Sequence, residues 1–236
     1  MNKWQRKSIK GVIIPNDHKW IYDWFEMEST CPNDVSKAID DANGEDVEIV
    51  INSGGGDVFS GSEIYTVLKD YKGNKTVKIV GVAASAASII AMAGDKVLIS
   101  PTAQIMIHNV RARGSGDYRD FEHTADVLKN YNKSIANAYR LKTGLSEKEL
   151  LELMDKESWF TAQEAIEYKL ADEIMFDNQM QLVASVASMI PLEIINKMRN
   201  TLKNPNIDKN NDSDFLLQKS KSKLNFLKLK GEMINE

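Results

Sequence analysis

The sequence predicts an α/β fold built on a parallel sheet, and three observations carry that prediction. Short apolar segments alternate with segments of helical periodicity, the pattern that strand–helix–strand crossovers produce. The apolar segments, residues 104–107 among them, lack the polar alternation of a strand with one wet face, so they read as covered on both sides. Runs of small residues, Ser53-Gly54-Gly55-Gly56 and Gly81-Val82-Ala83-Ala84, stand where an apolar segment gives way to a helix.

Strands are expected at residues 11–14 and 20–22. Pro32-Asn33 opens a helix over 34–42, and Asn43-Gly44 stops it, because both residues tolerate the left-handed backbone that ends helices. A strand at 48–51 runs into the glycine turn 53–56, followed by a helix over 59–71. A strand at 77–80 and the small-residue turn lead to a helix over 85–93 that is apolar all round and therefore buried. Strands at 96–99 and 104–107 follow, then an exposed loop, Arg111-Ala112-Arg113-Gly114-Ser115-Gly116. Residues 117–142 form a long amphipathic helix whose stripe is Phe121, Val127, Leu128, Tyr131, Ile135, Ala138 and Leu141, with Gly144 as its stop. Ser146 with Glu149 and Thr161 with Glu164 have capping-box spacing, so each opens a short helix. Residues 180–199 are expected to be helical with a break at Pro191. Residues 203–214, rich in Asn, Asp and Lys, read as disordered. Residues 215–230 form a basic amphipathic stretch, read as a solvated helix or partly ordered tail, with docking to a partner as the alternative.

The chain of 236 residues fits one domain, residues 1–176, with a polar C-terminal tail over 177–236. A net charge of −4 gives no electrostatic case for nucleic acid or an anionic membrane as partner. No apolar run approaches the roughly 18 residues of a transmembrane helix. The basic N-terminus has no apolar run behind it, so it is not a secretory signal. Cys31 is the single cysteine, which excludes an intrachain disulfide and fits a reducing cytoplasm. No metal site and no cofactor are expected. The glycine run lacks the following lysine of a phosphate-binding loop.

Ser85 stands where strand meets helix, and His108 ends the next apolar strand. A serine hydroxyl needs an adjacent imidazole to become a nucleophile at neutral pH, and strand ends can hold such a pair in register. Taken alone, the two also read as a helix N-cap and a core histidine. His18 and His123 lie in polar surroundings and are expected at the surface.

Four blocks together resemble the Clp protease proteolytic subunit (ClpP) family of serine peptidases, over about residues 10–176. They are Ile51 through Gly61; Gly81-Val82-Ala83-Ala84-Ser85; Met106-Ile107-His108; and Glu157 through Ala165, ending in Leu170-Ala171-Asp172-Glu173-Ile174. Their order and spacing are close to the family's, and within it the phage and prophage head-maturation branch is the most similar. The resemblance implies a ClpP/crotonase-like spiral of β-β-α units with a protruding handle helix, here about residues 109–142. It implies Ser85 as nucleophile, His108 as base and Glu157 as the acid of a triad, with Asp155 as the alternative acid. The family usually has aspartate where Glu157 stands, and a proline where Gly54 stands. The N–H groups of Gly56 and Ala86 would form the oxyanion hole, and Gly55, Asp57 and Val58 would hold the substrate backbone. The implied function is a cytoplasmic serine endopeptidase, in the host cytoplasm if phage-encoded, that cleaves capsid or scaffold proteins during prohead maturation. Implied partners are protein substrates, further copies in one or two stacked rings, and a separate ATPase unfoldase. The alternative is an inactive ring-forming structural subunit. The crotonase fold, which binds acyl-CoA, shares the spiral core but needs no such serine.

Overall fold

The computed structural model describes residues 5–177 and Lys221. Its centre is a sheet in the order β2-β1-β3-β4-β5-β8. The strands are β1 (Gln5–Ile13), β2 (Ser29–Thr30), β3 (Val47–Gly56), β4 (Lys75–Ala84), β5 (Lys96–Ile99) and β8 (Glu173–Ile174), all paired in parallel. The α/β class read from the sequence is the one observed. One register row explains the cohesion. Ile9 faces Ile51, Ile51 faces Ile79, and Ile79 faces Ile99, each fully buried. Side chains opposite one another in adjacent strands share a face, so four isoleucines form one continuous apolar rib.

Besides β3, the strand β4 serves two further neighbours. Its first half pairs with β5 at Thr76–Ile79, and its second half pairs with β6 (Gln104–Ile107) at Val82–Ala84. A short antiparallel strand, β7 (Ser158–Phe160), then adds to β6. The helices are α1 (Lys19–Trp24), α2 (Pro32–Ala42), α3 (Val58–Asp70), α4 (Ala86–Ala91), α5 (Tyr118–Thr143), α6 (Glu147–Asp155) and α7 (Ala162–Glu167). All six residues of α4 are buried, as the absence of any polar face required.

Several boundaries differ from the sequence reading. Residues 20–22 are not a strand but the middle of α1, where Lys19 and Asp23 form an ion pair one helical turn apart. The sheet edge beside β1 is taken instead by β2. Trp20, Trp24 and Phe25 are consequently exposed. The strand β1 begins at Gln5, its charged residues answered across the sheet, as Arg6 opposite Glu48 shows. Neither small-residue run is a turn. The glycines prolong β3 to Gly56 opposite Ile13, and Gly81 to Ala84 prolong β4, so each change of direction is compressed into one residue. Both capping boxes form, at Ser146 and Thr161.

The long helix also follows its signals. The Asp117 carboxylate accepts from the N–H groups of Arg119 and Asp120, and Gly144 ends α5 at φ 77°. Its C-terminal half is anchored through Ile135, Ala136, Ala138 and Tyr139, while Phe121 near its start is exposed. Leu141 lies off the stripe at 71% exposure, and Tyr139 takes the buried place. His18 and His123 are at the surface. The expectations for 180–199, 203–214 and 215–230 lie outside the described residues, Lys221 apart. Among the described residues no helix is long and apolar enough to cross a membrane.

The isoleucine rib yields a stability prediction. Ile79→Ala, at the strand shared by β3, β5 and β6, should cost about 2–5 kcal/mol because a cavity opens where neighbours cannot collapse. Urea unfolding followed by circular dichroism measures it. A loss below about 1 kcal/mol would mean that the rib is not the anchor of the sheet.

Candidate active site

At the end of β4 the backbone bends at a single residue. Ser85 has φ 54° and ψ −126°, a region a serine enters only against strain of about 1–3 kcal/mol. Its neighbours hold it there. The Ser85 N–H donates to the Met106 carbonyl at 3.0 Å, and its own carbonyl accepts from the Ser88 N–H at 2.9 Å. Ser85 occupies the N-cap position of α4, yet its side chain makes no capping bond. The hydroxyl instead lies 2.8 Å from Nε2 of His108, which follows β6 directly. Parallel pairing of β4 with β6 thus brings together two residues 23 apart in sequence.

Close approach of β3 explains the glycines. A Cβ on Gly55 (φ 95°) would lie 2.6 Å from the Ala84 oxygen and 2.7 Å from the Ser85 Cβ. One on Gly56 (φ 155°) would lie 2.1 Å from the Ile13 oxygen. Only glycine fits either place. Gly55 packs behind the serine, while Gly56, Asp57 and Val58 line a cleft of about 340 Å³ with Ser85, Ala86 and His108. Ala86 opens α4, so its N–H lacks a partner within the helix. The Asp57 carboxylate is committed to capping α3, accepting from the N–H and hydroxyl of Ser60 at 2.8 and 2.6 Å. The far wall of the cleft is apolar: Phe59, Ile89, Leu128 and Ile135, with Phe59 and Tyr131 in edge-to-face contact at 5.3 Å.

The carboxylates are placed otherwise than the sequence suggested. Glu157 follows α6 at φ 50° and forms an ion pair with Arg111. Asp155 accepts a 2.6 Å hydrogen bond from the Asn109 side chain. Neither bonds to His108, whose buried Nδ1 has no partner among the described residues. The 2.8 Å contact admits either tautomer of the ring; with the serine hydroxyl as donor to Nε2, the arrangement a base needs, the proton of the neutral ring would sit on Nδ1. Arg111 and Asn109 were not singled out as site residues from the sequence. Their signal was only position, three and one residues beyond His108. Cys31 is buried at the start of α2, and burial pushes its thiol up.

Burial, and next the Arg111 guanidinium, hold the His108 imidazole below its ordinary range, against the opposing pull of Glu157. The neutral ring therefore adds stability above the unfolded value of about 6.5, and that stability is lost as pH falls through the lower folded value. NMR titration of His108 should place its midpoint below 6.5. Arg111→Gln should move the midpoint upward, since a positive charge leaves and Glu157 is freed. Added salt should shrink the difference, because Arg111 is largely exposed. A midpoint that stays put or falls in Arg111→Gln would refute this electrostatic assignment.

Comparison with known proteins places this geometry. The model of the Clp protease family matches residues 36–178, more than half of the chain, spanning Ser85, His108 and Glu157. The chain is similar to the ATP-dependent Clp protease proteolytic subunit of Bacteroides fragilis, 34% identical over 134 residues, or 56% of this chain and 65% of that protein. It is similar to that of Deinococcus radiodurans, 31% identical over 133 residues, again 56% and 65%. Proteolytic subunit 2 of Tropheryma whipplei is 29% identical over 132 residues, 55% of this chain and 73% of its own length. The match therefore spans just under two thirds of the first two relatives. With a family model matched over most of the described residues, this chain belongs to the Clp protease family.

Proposed function

We propose that the protein is a serine endopeptidase. The observation that carries this reading is the 2.8 Å contact between the Ser85 hydroxyl and Nε2 of His108 at the floor of an accessible cleft. Ser85 attacks the substrate carbonyl while His108 takes its proton at Nε2. The tetrahedral oxyanion is held by the N–H groups of Gly56 and Ala86. His108 then gives the proton to the leaving amine, and water repeats the sequence on the acyl-enzyme. A neutral imidazole suits the base, and the lowered His108 value keeps it neutral at pH 7. Glu157 is the proposed orienter. It would have to exchange Arg111 for the open Nδ1–H, which it can do because the pair is partly exposed and therefore weak. The segment from Gly56 through Val58 would align the substrate backbone as an added strand, with Gly55 packed behind the serine instead.

The substrates are proteins. Resemblance to the phage and prophage branch supports capsid or scaffold proteins cleaved during prohead maturation, in the host cytoplasm. The exposed first half of α5, with Phe121 at its start, supports a handle that packs against other copies in stacked rings. The relatives are named ATP-dependent, which supports a separate ATPase partner. The peptidase domain is assigned to residues 1–176, with 177–236 as an appended segment. A second reading, an inactive ring subunit, is favoured by the unpartnered Nδ1 and by the Arg111–Glu157 pair.

Fluorophosphonate labelling read by mass spectrometry separates the two. The active reading expects modification at Ser85 and none in His108→Ala. Absence of label on a folded, assembled wild type would establish the inactive subunit. Glu157→Gln should lower hydrolysis by about 10⁴ with KM little changed, as when a triad carboxylate becomes an amide. If that variant is silent and Asp155→Asn is not, Asp155 is the acid.

A further inference from the structure

We propose that Ser88 and Tyr139 are positioning residues that clamp the nucleophile in its strained backbone conformation. The clamp rests on the peptidase reading above, since it acts through Ser85. The Ser88 hydroxyl donates to the Ser85 carbonyl at 2.6 Å. It has one proton to give, so its 2.8 Å contact with the Tyr139 hydroxyl must be a bond donated by Tyr139. Ser88 is fully buried and Tyr139 is 1% exposed. Burial pushes the Tyr139 pKa far up, so the phenol keeps its proton and stays a donor. A directed chain thus runs from Tyr139 on α5 through Ser88 on α4 to the carbonyl of Ser85.

Its end point gives it a function beyond packing. Ser85 holds φ 54° and ψ −126°, and its N–H is already tied to Met106 at 3.0 Å. The carbonyl on the other side accepts from the Ser88 and Ile89 N–H groups, and the hydroxyl chain adds the shortest bond to it, so both peptide planes flanking the bend are fixed. Rotation of either plane would swing Oγ away from His108 and turn the following N–H, that of Ala86, off the cleft. Tyr139 also lines that cleft, beside Ser85 and Ile135. The same helix therefore supplies both a wall of the site and the far end of the clamp.

The test uses the full chain, comparing wild type, Ser88→Ala, Tyr139→Phe and the double variant for melting temperature and for the rate of fluorophosphonate labelling at Ser85. Ser88→Ala strands a buried phenol and should lower the melting temperature. The double variant removes both polar groups and should recover most of that loss. Its maximal labelling rate should nevertheless stay about 10²-fold low, the scale of a misplacement near 1 Å, with the half-saturating probe concentration unchanged. Tyr139→Phe, which keeps the ring, should be slow in the same way. Labelling that recovers with melting temperature overturns the clamp and leaves the peptidase reading standing. A folded wild type that takes no label overturns both.

Discussion

The site depends on the parallel pairing of β6 with the second half of β4. That pairing sets Ala84 opposite Met106 and ties the Ser85 N–H to the Met106 carbonyl. It leaves Ser85 and His108, each following the end of its strand, side by side at the same end of the sheet. A slip of one residue would turn every side chain of β6 to the other face and carry the imidazole out of reach. The buried rib of Ile9, Ile51, Ile79 and Ile99 resists such a slip, because it locks β4 to its other neighbours.

The bend at Ser85 is held from three directions. Behind it, Gly55 allows β3 to approach within a distance that no side chain would permit. On one side stands Met106, and on the other the buried hydroxyls of Ser88 and Tyr139. Strain at one residue can persist when its surroundings over-determine it. The tyrosine belongs to α5, whose first half reaches outward with Phe121 exposed, so contacts made there bear on the same helix that anchors the site.

Charge around His108 is arranged to keep the ring neutral, with desolvation the larger influence and Arg111 the next. Arg111 also engages Glu157, the carboxylate whose position in the chain suits an orienting role. One guanidinium thus bears on His108, the proposed base, and on its candidate partner together. In the proposed mechanism, exchange of Glu157 from Arg111 to Nδ1 would favour the charged imidazolium once the serine proton has arrived, and would give the buried Nδ1 a partner.

Much of the fold was legible in the sequence because its signals are local. Apolar runs, the caps at Asp117, Ser146 and Thr161, and the stop at Gly144 act over three or four residues, and the corresponding elements formed. Ser85 and His108 were legible as a pair because each ends an apolar strand. What failed locally was decided by neighbours. Residues 20–22 carry strand-like side chains but found no free sheet edge, and formed α1. The glycine and alanine runs look like turns, yet remain extended because β1 and β6 supply them with strand partners. The partners of Glu157 and Asp155 could not be read from their own segment. Arg111 and Asn109 lie 46 residues from them in sequence, and only tertiary packing makes them neighbours. The same holds for Ser88 and Tyr139, 51 residues apart, whose hydroxyls meet because α5 crosses back over α4. Local chemistry determined most of the helices and strands and which residues carry groups equipped to react. Long-range packing decided what each reactive group touches, because a hydrogen bond depends on distances that sequence order does not set.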